Sequence, residues 1–416
     1  MKHILIFVTV LTISSTSWGN PLTLETVVTE VVKNHPAIVQ ATADASAAKS
    51  NKHKEAWLPD PNFELKFQEV PLADKNPNNA NITMYSISQE IPFPTTLVTQ
   101  SKALDASFQA KKVMISGTER LKIFEAKKTF FELVAKQHQL QNQESILKNY
   151  QSIIATAEKS YATGNSPDMK EKSMSTYSDI LMAKMKKAEI ETQIDNLHHQ
   201  MHAGEATLNL MMGRDPDLNI DSLAAPSLKH LLVDDEIVKQ KFENQNADLI
   251  STRWMTKKSS TEVSLAKQKL IPTLAPTFSY DDRKTMGNAY DFSVNLNIPL
   301  WLNRNKAEID EAKANFKSQS AAEQSQKIDA ESKLYYLIHH AKEHYKIVTR
   351  YRDEIIPLAQ SSVKVATQSF EGGLISSSNV LQKIINANEA QQTYWDMWMD
   401  YQVEYSQLEQ MVGEEL

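Results

Sequence analysis

The sequence predicts a mainly α-helical fold that also contains four β-strands in two pairs, with the whole arrangement repeated once along the chain. Three observations predict it: scarce glycine, long stretches without proline, and two clusters in which apolar and polar residues alternate. Only 9 of the 416 residues are glycine, well below the average of about 7%. Such a chain has few positions for turns or for glycine-rich nucleotide-binding loops, so long helices are favoured.

The prolines delimit where long helices fit. Proline inside a helix costs about 3 kcal/mol or more, so helices are expected in the proline-free stretches 95–166, 168–215, 227–271, 300–356 and 358–416. Apolar residues there recur at spacings of three and four, as in Leu334, Ile338, Ala341, Tyr345 and Val348. This pattern is typical of coiled-coil-like helix packing. Pro357 is expected to interrupt its helix.

Two clusters, at about 62–91 and 274–298, read as strand pairs. In 290–298, Tyr290, Phe292 and Val294 alternate with polar residues, which puts the apolar side chains on one face. That face meets either a second sheet in a soluble sandwich or lipid in an outer-membrane barrel. The chain offers no second sheet, which favours the barrel. Because membrane barrels have at least about eight strands, four strands per chain require several copies of it.

On the barrel interpretation, the two strand faces have different surroundings. The apolar side chains would contact lipid or its headgroups, and the polar ones would line water: Glu64, Lys66, Asp291, Asn295 and Asn297.

The N-terminus has the pattern of a secretory signal peptide. Lys2 and His3 precede an apolar run at 4–13, and small residues lead to an expected cleavage after Gly19. The run is too short for a membrane-spanning helix, which needs about 20 apolar residues. We therefore expect residues 1–19 to be removed and the protein to be exported.

The remaining chain divides into two similar halves, 20–226 and 227–416. Leu58-Pro59 precedes the first strand cluster and Ile271-Pro272 the second, and the helix end Leu208…Gly213 corresponds to Leu408…Gly413. The first half is expected to hold strands at about 62–91 and long helices at about 95–212. The second is expected to hold strands at about 274–298 and long helices at about 300–413.

At this point the chain resembles the TolC-like outer-membrane factors of tripartite efflux and secretion systems, most of all the heavy-metal-efflux members. The resemblance covers essentially 20–416. It is carried by short motifs in a fixed order: Asn34-His35-Pro36, Leu58-Pro59-Asp60-Pro61, Ser88-Gln89-Glu90-Ile91-Pro92-Phe93-Pro94, Tyr161-Ala162-Thr163-Gly164 and Leu208-Asn209-Leu210-Met211-Met212-Gly213-Arg214. It implies a homotrimer with a twelve-stranded barrel in outer-membrane lipid and long helices that form a periplasmic tunnel. It also implies a periplasmic adaptor (membrane fusion) protein and an inner-membrane pump, expected to be proton-driven.

The resemblance further implies where the tunnel would act. The adaptor would dock at two helix turns, marked by Tyr161 and Gly164 in one and by Phe370 and Gly373 in the other. Family members commonly carry an acidic ring at the constriction. The matching positions here are the neutral Asn379 and Gln382, so the acidic character would have to come from Asp168 or Glu371.

No sequence pattern indicates catalysis, and no cofactor is expected. Zinc-protease, nucleophile-elbow, phosphate-loop and dinucleotide motifs are absent from the sequence, as is cysteine. The formal net charge of −6 disfavours a nucleic-acid binder. His198/His202 and His340/His344 have the i,i+4 spacing that can ligate a metal when other donors converge. Solvated helix histidines are the more ordinary interpretation of both pairs.

The sequence thus predicts a passive outer-membrane exit duct for small toxic solutes, with heavy-metal cations as the first expectation. Two alternatives stay open. One is the duct of a type I protein secretion system, which the duct's own sequence barely distinguishes. The other is a periplasmic coiled-coil scaffold without a pore, against which the alternating strands argue.

Overall fold

The computed structural model describes residues 21–71, 76–163, 170–230, 234–285, 287–372 and 374–416. The expected signal peptide and the two turn glycines, Gly164 and Gly373, lie outside these ranges. Over the described residues the fold is mainly helical with one four-stranded sheet, which confirms the predicted fold class.

The elements follow each other in the same order twice. The first half contains α1 (Leu24–Asn34), α2 (Pro36–Lys54), β1 (Asn62–Gln68), β2 (Ile82–Ser88), α3 (Pro94–Thr163) and α4 (Lys170–Met212). The second contains α5 (Asp235–Gln245), α6 (Ala247–Gln268), β3 (Thr273–Arg283), β4 (Ala289–Asn297), α7 (Leu302–Arg350), α8 (Ile356–Glu371) and α9 (Ser377–Val412). The division at 226/227 stays a prediction about the chain. None of the helices in the described residues is both long and apolar enough to cross a bilayer.

The second half differs from the first at Pro357. Where α3 runs on without a break, α7 passes through a π-helical turn, Tyr351–Ile355, before α8 begins. Proline has no N–H and its ring clashes with the carbonyl of the preceding turn, and a wider turn relieves that clash. The expected interruption is therefore confirmed as a local change of helix type.

The chain forms two compact units, each taking segments from both halves. The first comprises residues up to 35, 123–231 and 340–406, and the second comprises 36–122, 232–339 and 407–416. A core of the first unit is made of apolar side chains from α3, α4, α8 and α9, among them Ile146, Tyr150, Ile190, Ala366, Val380 and Ile384. The second unit contains the sheet and buries Val238, Phe242, Leu249, Leu408 and Met411.

The two helix ends that the sequence pairs, at Gly213 and Gly413, are built alike. Asn34 Nδ2 donates to the carbonyl oxygen of Met212 over 2.8 Å, and Asn246 Nδ2 donates to that of Met411 over 2.8 Å. Each amide satisfies a carbonyl that the end of a helix leaves without an intrahelical partner. Both glycines adopt positive φ, +73° and +87°, as expected of a helix terminator.

Gly413→Ala should destabilise the protein more than Gly287→Ala, although both glycines have positive φ. A Cβ at Gly413 would lie 2.8 Å from the carbonyl oxygen of Gln245, whereas one at Gly287 would meet no atom within 4 Å. The left-handed backbone alone costs about 1–2 kcal/mol, and the clash adds to it only at Gly413. Thermal loss of helical circular dichroism in detergent measures both variants. Equal melting temperatures for the two would contradict the packing of this helix end.

Candidate functional site

The sheet is antiparallel throughout, in the order β1-β2-β3-β4. Its register places residues of one polarity in rows across all four strands. One row contains Phe63, Ile87, Phe278 and Phe292, and the row beside it contains Leu65, Tyr85, Tyr280 and Tyr290. Because side chains alternate between faces along a strand, both rows lie on the same face. That face is therefore continuously apolar.

Polar residues occupy the rows between. One contains Asn62, Ser88, Thr277 and Ser293, and another contains Glu64, Ser86, Ser279 and Asp291. A shift of one residue in any pairing would mix the two kinds of row. The sheet thus has one apolar and one hydrophilic face, as a wall between lipid and water requires.

The apolar face is uncovered in the single chain. Tyr290 is 76% and Phe292 is 72% exposed, and most of their row neighbours are exposed as well. Burying apolar surface is favourable by about 25 cal/mol per Å², so a face of this kind marks a contact with lipid or protein. Membrane lipid fits the period-two pattern of all four strands.

Exposed aromatic residues flank one end of this sheet. Trp57 precedes β1, Phe93 follows β2 and Trp301 follows β4. All three belong to the strand ends that the register brings together, since Asn62 pairs with Ser88 and Thr273 with Asn297. Trp57 and Trp301 are 78% and 77% exposed. Aromatic side chains at such positions are typical of the boundary between hydrocarbon and water.

The sequence alone assigned no role to Trp57 and Trp301, and Phe93 entered only as part of a family motif. The signal available in the sequence was a large aromatic residue within five positions of a strand end. Phe93 also lies beside proline. Its meaning depends on which strand ends meet, which the register decides.

The expected adaptor-docking residues are placed in part. Tyr161 lies in the last turn of α3, and Phe370 lies in the last turn of α8. Phe370 is partly buried against the core of the first unit, so its side chain contributes to packing in addition to any docking role. Gly372 ends α8, and its N–H donates to the carbonyl of Gln368 over 3.1 Å. The docking role of these residues stays a prediction.

The expected constriction residues form an exposed amide stripe at the start of α9. Asn379 and Gln382 are both exposed, and Gln382 Nε2 donates to Asn386 Oδ1 over 3.0 Å. Residues three and four apart share a helix face, so the three amides lie together. The stripe is uncharged, as the sequence indicates.

The two histidine pairs have different surroundings. His198 and His202 are exposed on α4. His340 and His344 on α7 approach Glu404 on α9, with Nδ1-to-carboxylate-oxygen distances of 3.8 and 2.9 Å. Burial raises the pKa of the Glu404 carboxyl, an effect that His344 and His340 oppose and Asp400 reinforces. Burial likewise raises the pKa of Asp400. Glu404 was not a sequence candidate.

Comparison with known proteins identifies the architecture. The sequence profile of the outer membrane efflux protein family matches residues 238–414. This match lies within the second half of the chain, where it confirms the expected resemblance to that family. Comparison with curated protein sequences gives no match.

Solved outer-membrane channels resemble the chain over nearly its whole length. VceC from Vibrio cholerae is 15% identical with a TM-score of 0.77, the alignment covering 94% of this chain and 96% of that one. The Campylobacter jejuni channel CmeC is 14% identical with a TM-score of 0.80, covering 94% and 85%. CusC is 17% identical with a TM-score of 0.72, covering 94% and 92%. The fold of this chain, including its first half, is therefore that of the outer-membrane efflux channels.

Phe292→Lys should reduce assembly of this protein into outer membranes, because a charge on the lipid face of a barrel costs about 2–4 kcal/mol near the midplane. Ser293→Lys is the matched control, since the neighbouring position lies on the polar face. Immunoblots of outer-membrane fractions, with heated and unheated samples compared, measure folded protein. Loss of both variants alike, or of neither, would contradict the assignment of the faces.

Proposed function

We propose that this chain is the outer-membrane exit duct of a tripartite efflux system. It works as a homotrimer and passively conducts small toxic solutes, heavy-metal cations first among them. A periplasmic adaptor protein and a proton-driven inner-membrane pump deliver the solute, and the duct releases it outside the cell. The observation that carries this proposal is the four-stranded sheet whose register separates an exposed apolar face from a polar one.

Closure of the sheet supports the trimer. In the single chain β1 and β4 are the two edge strands, and an open edge in hydrocarbon leaves backbone groups without hydrogen bonds. Pairing β4 of one copy with β1 of the next removes every edge. Three copies supply twelve strands, within the range of water-filled membrane barrels. The polar rows, including Glu64, Ser279 and Asp291, then line the lumen.

The long helices supply the periplasmic part of the proposed duct. α3, α4, α7 and α9 run for 70, 43, 49 and 36 residues, lengths suited to a tunnel of side-by-side helices. The proposed adaptor contacts are Tyr161 and Phe370, near the ends of α3 and α8, together with Gly164 and Gly373, which follow them in the sequence. The energy for export comes from the pump, because a duct needs only a continuous aqueous path.

The choice of solute rests on weaker support than the duct. The motifs resemble metal-exporting members, and histidine and methionine contents favour the same class. The neutral Asn379 and Gln382 oppose it, since charges in a narrow passage attract a cation by several kcal/mol. A duct does not need affinity for what it conducts, because the pump delivers the solute.

A deletion strain tests the function. It should lose tolerance to copper, silver, zinc or cobalt and recover it when the wild-type chain or Ser293→Lys is supplied, but not with Phe292→Lys. Sensitivity confined to dyes and detergents would overturn the metal assignment and keep the duct. Unchanged tolerance together with a missing secreted protein would indicate protein secretion. Growth unaffected under all conditions, together with no channel activity in planar bilayers, would instead favour a periplasmic coiled-coil scaffold.

Asn379→Asp with Gln382→Glu should increase the cation-to-anion permeability ratio several-fold, because an acidic ring in a narrow passage attracts cations. Gln360→Glu is the control, an exposed amide-to-acid change on α8. Reversal potentials of single channels in asymmetric salt measure the ratio. Identical selectivity in the double variant and the control would mean that Asn379 and Gln382 do not line the constriction.

A further inference from the structure

We propose that His340, His344 and Glu404 form a binding site for a divalent transition-metal ion of the zinc type. Among the residues that the structure describes, these three are the group of histidine and acidic side chains whose ligand atoms converge, all within 4.8 Å of one another. The sequence supplied only the histidine pair on α7. The third donor comes from α9 and completes a His₂Glu set.

The backbone geometry pre-arranges the donors. His340 and His344 are one helical turn apart, so their rings project from the same face of α7, 5.6 Å apart and perpendicular. Glu404 directs its two carboxylate oxygens at the two Nδ1 atoms, Oε1 towards His340 and Oε2 towards His344. The ligands of a tetrahedral ion bound at the usual 2.0–2.2 Å lie about 3.3–3.6 Å from one another, and the two histidine–glutamate distances of 2.9 and 3.8 Å lie on either side of that value.

Burial and charge favour a cation here. The side chain of Glu404 is 14% exposed and that of His344 is 19% exposed. Asp400 lies one turn before Glu404 on α9, and burial raises the pKa of both carboxyls. Asp396, another turn back, adds to the negative charge around Asp400. A divalent ion would offset the cost of these partly desolvated carboxylates. Water would supply the fourth ligand, as at other zinc sites with three protein ligands.

The donor set selects a class of metal. Two imidazoles and one carboxylate suit Zn²⁺ and its neighbours Cu²⁺, Ni²⁺ and Co²⁺. Mg²⁺ and Ca²⁺ prefer all-oxygen sites. The side chain of His340 is 44% exposed, which gives the ion a route from solvent. The site is independent of the cargo of the duct, because it depends on a helix pair and not on the constriction.

Zinc binding to the full-length protein tests the site. The protein is purified in detergent, stripped with a chelator and titrated with Zn²⁺ alone by calorimetry at neutral pH. One ion per chain is expected, with an affinity at least ten-fold weaker in His340→Gln and in Glu404→Gln. His198→Gln with His202→Gln is the matched control, since it removes an exposed i,i+4 pair, and it should bind as the wild type does.

A second measurement separates metal binding from a merely structural contact. Zn²⁺ should raise the melting temperature of the wild type and of the control but not that of Glu404→Gln, which keeps a side chain of similar size. Bound Co²⁺ should give the intense visible absorption of a four-coordinate site only where all three donors remain. Zinc affinity equal in Glu404→Gln, the wild type and the control would overturn the proposal. So would loss of binding only in the control.

Discussion

The register of the four strands is the constraint on which the rest of this protein depends. Across the middle of the sheet, the three pairings place apolar residues opposite apolar ones, so Phe63, Ile87, Phe278 and Phe292 form one row. Two of these strands come from one half of the chain and two from the other. The sheet therefore forms only if both halves fold together, and a slip of one residue in any pairing would place polar side chains on the apolar face.

The helices satisfy a second requirement, which is the pairing of backbone groups at their ends. Asn34 and Asn246 each donate a side-chain hydrogen bond to a carbonyl in the last turn of α4 or α9. Arg214 adds a bidentate contact to Glu30 within the first unit. The same asparagine-to-carbonyl hydrogen bond at the ends of α4 and α9 is what duplication of one ancestral segment would produce. Pro357 is the point where the second half departs from it, through a π-helical turn.

Conducting a solute and binding a metal ion require different surroundings for polar side chains, and the chain provides these surroundings at different places. The proposed constriction consists of exposed, unreactive groups, the amide stripe of Asn379, Gln382 and Asn386. The proposed metal site instead uses partly buried donors from two helices, as in His344 and Glu404. Within the part of the chain that the structure describes, the exposed His198 belongs to no such group of three donors.

The sequence by itself determined the mainly helical class, the four strands, the helix interruption at Pro357 and the resemblance to outer-membrane efflux proteins. These features follow from proline positions, from periods of two and of three to four, and from local motifs, so neighbouring residues suffice to reveal them. Only the tertiary structure decided the strand register, the aromatic ends at Trp57 and Trp301, and the third donor beside His340 and His344. Glu404 lies 60 residues from His344 along the chain, and no local pattern relates the two. Contact between α7 and α9, where the rings of Tyr345 and Tyr401 also lie 5.5 Å apart, brings them together.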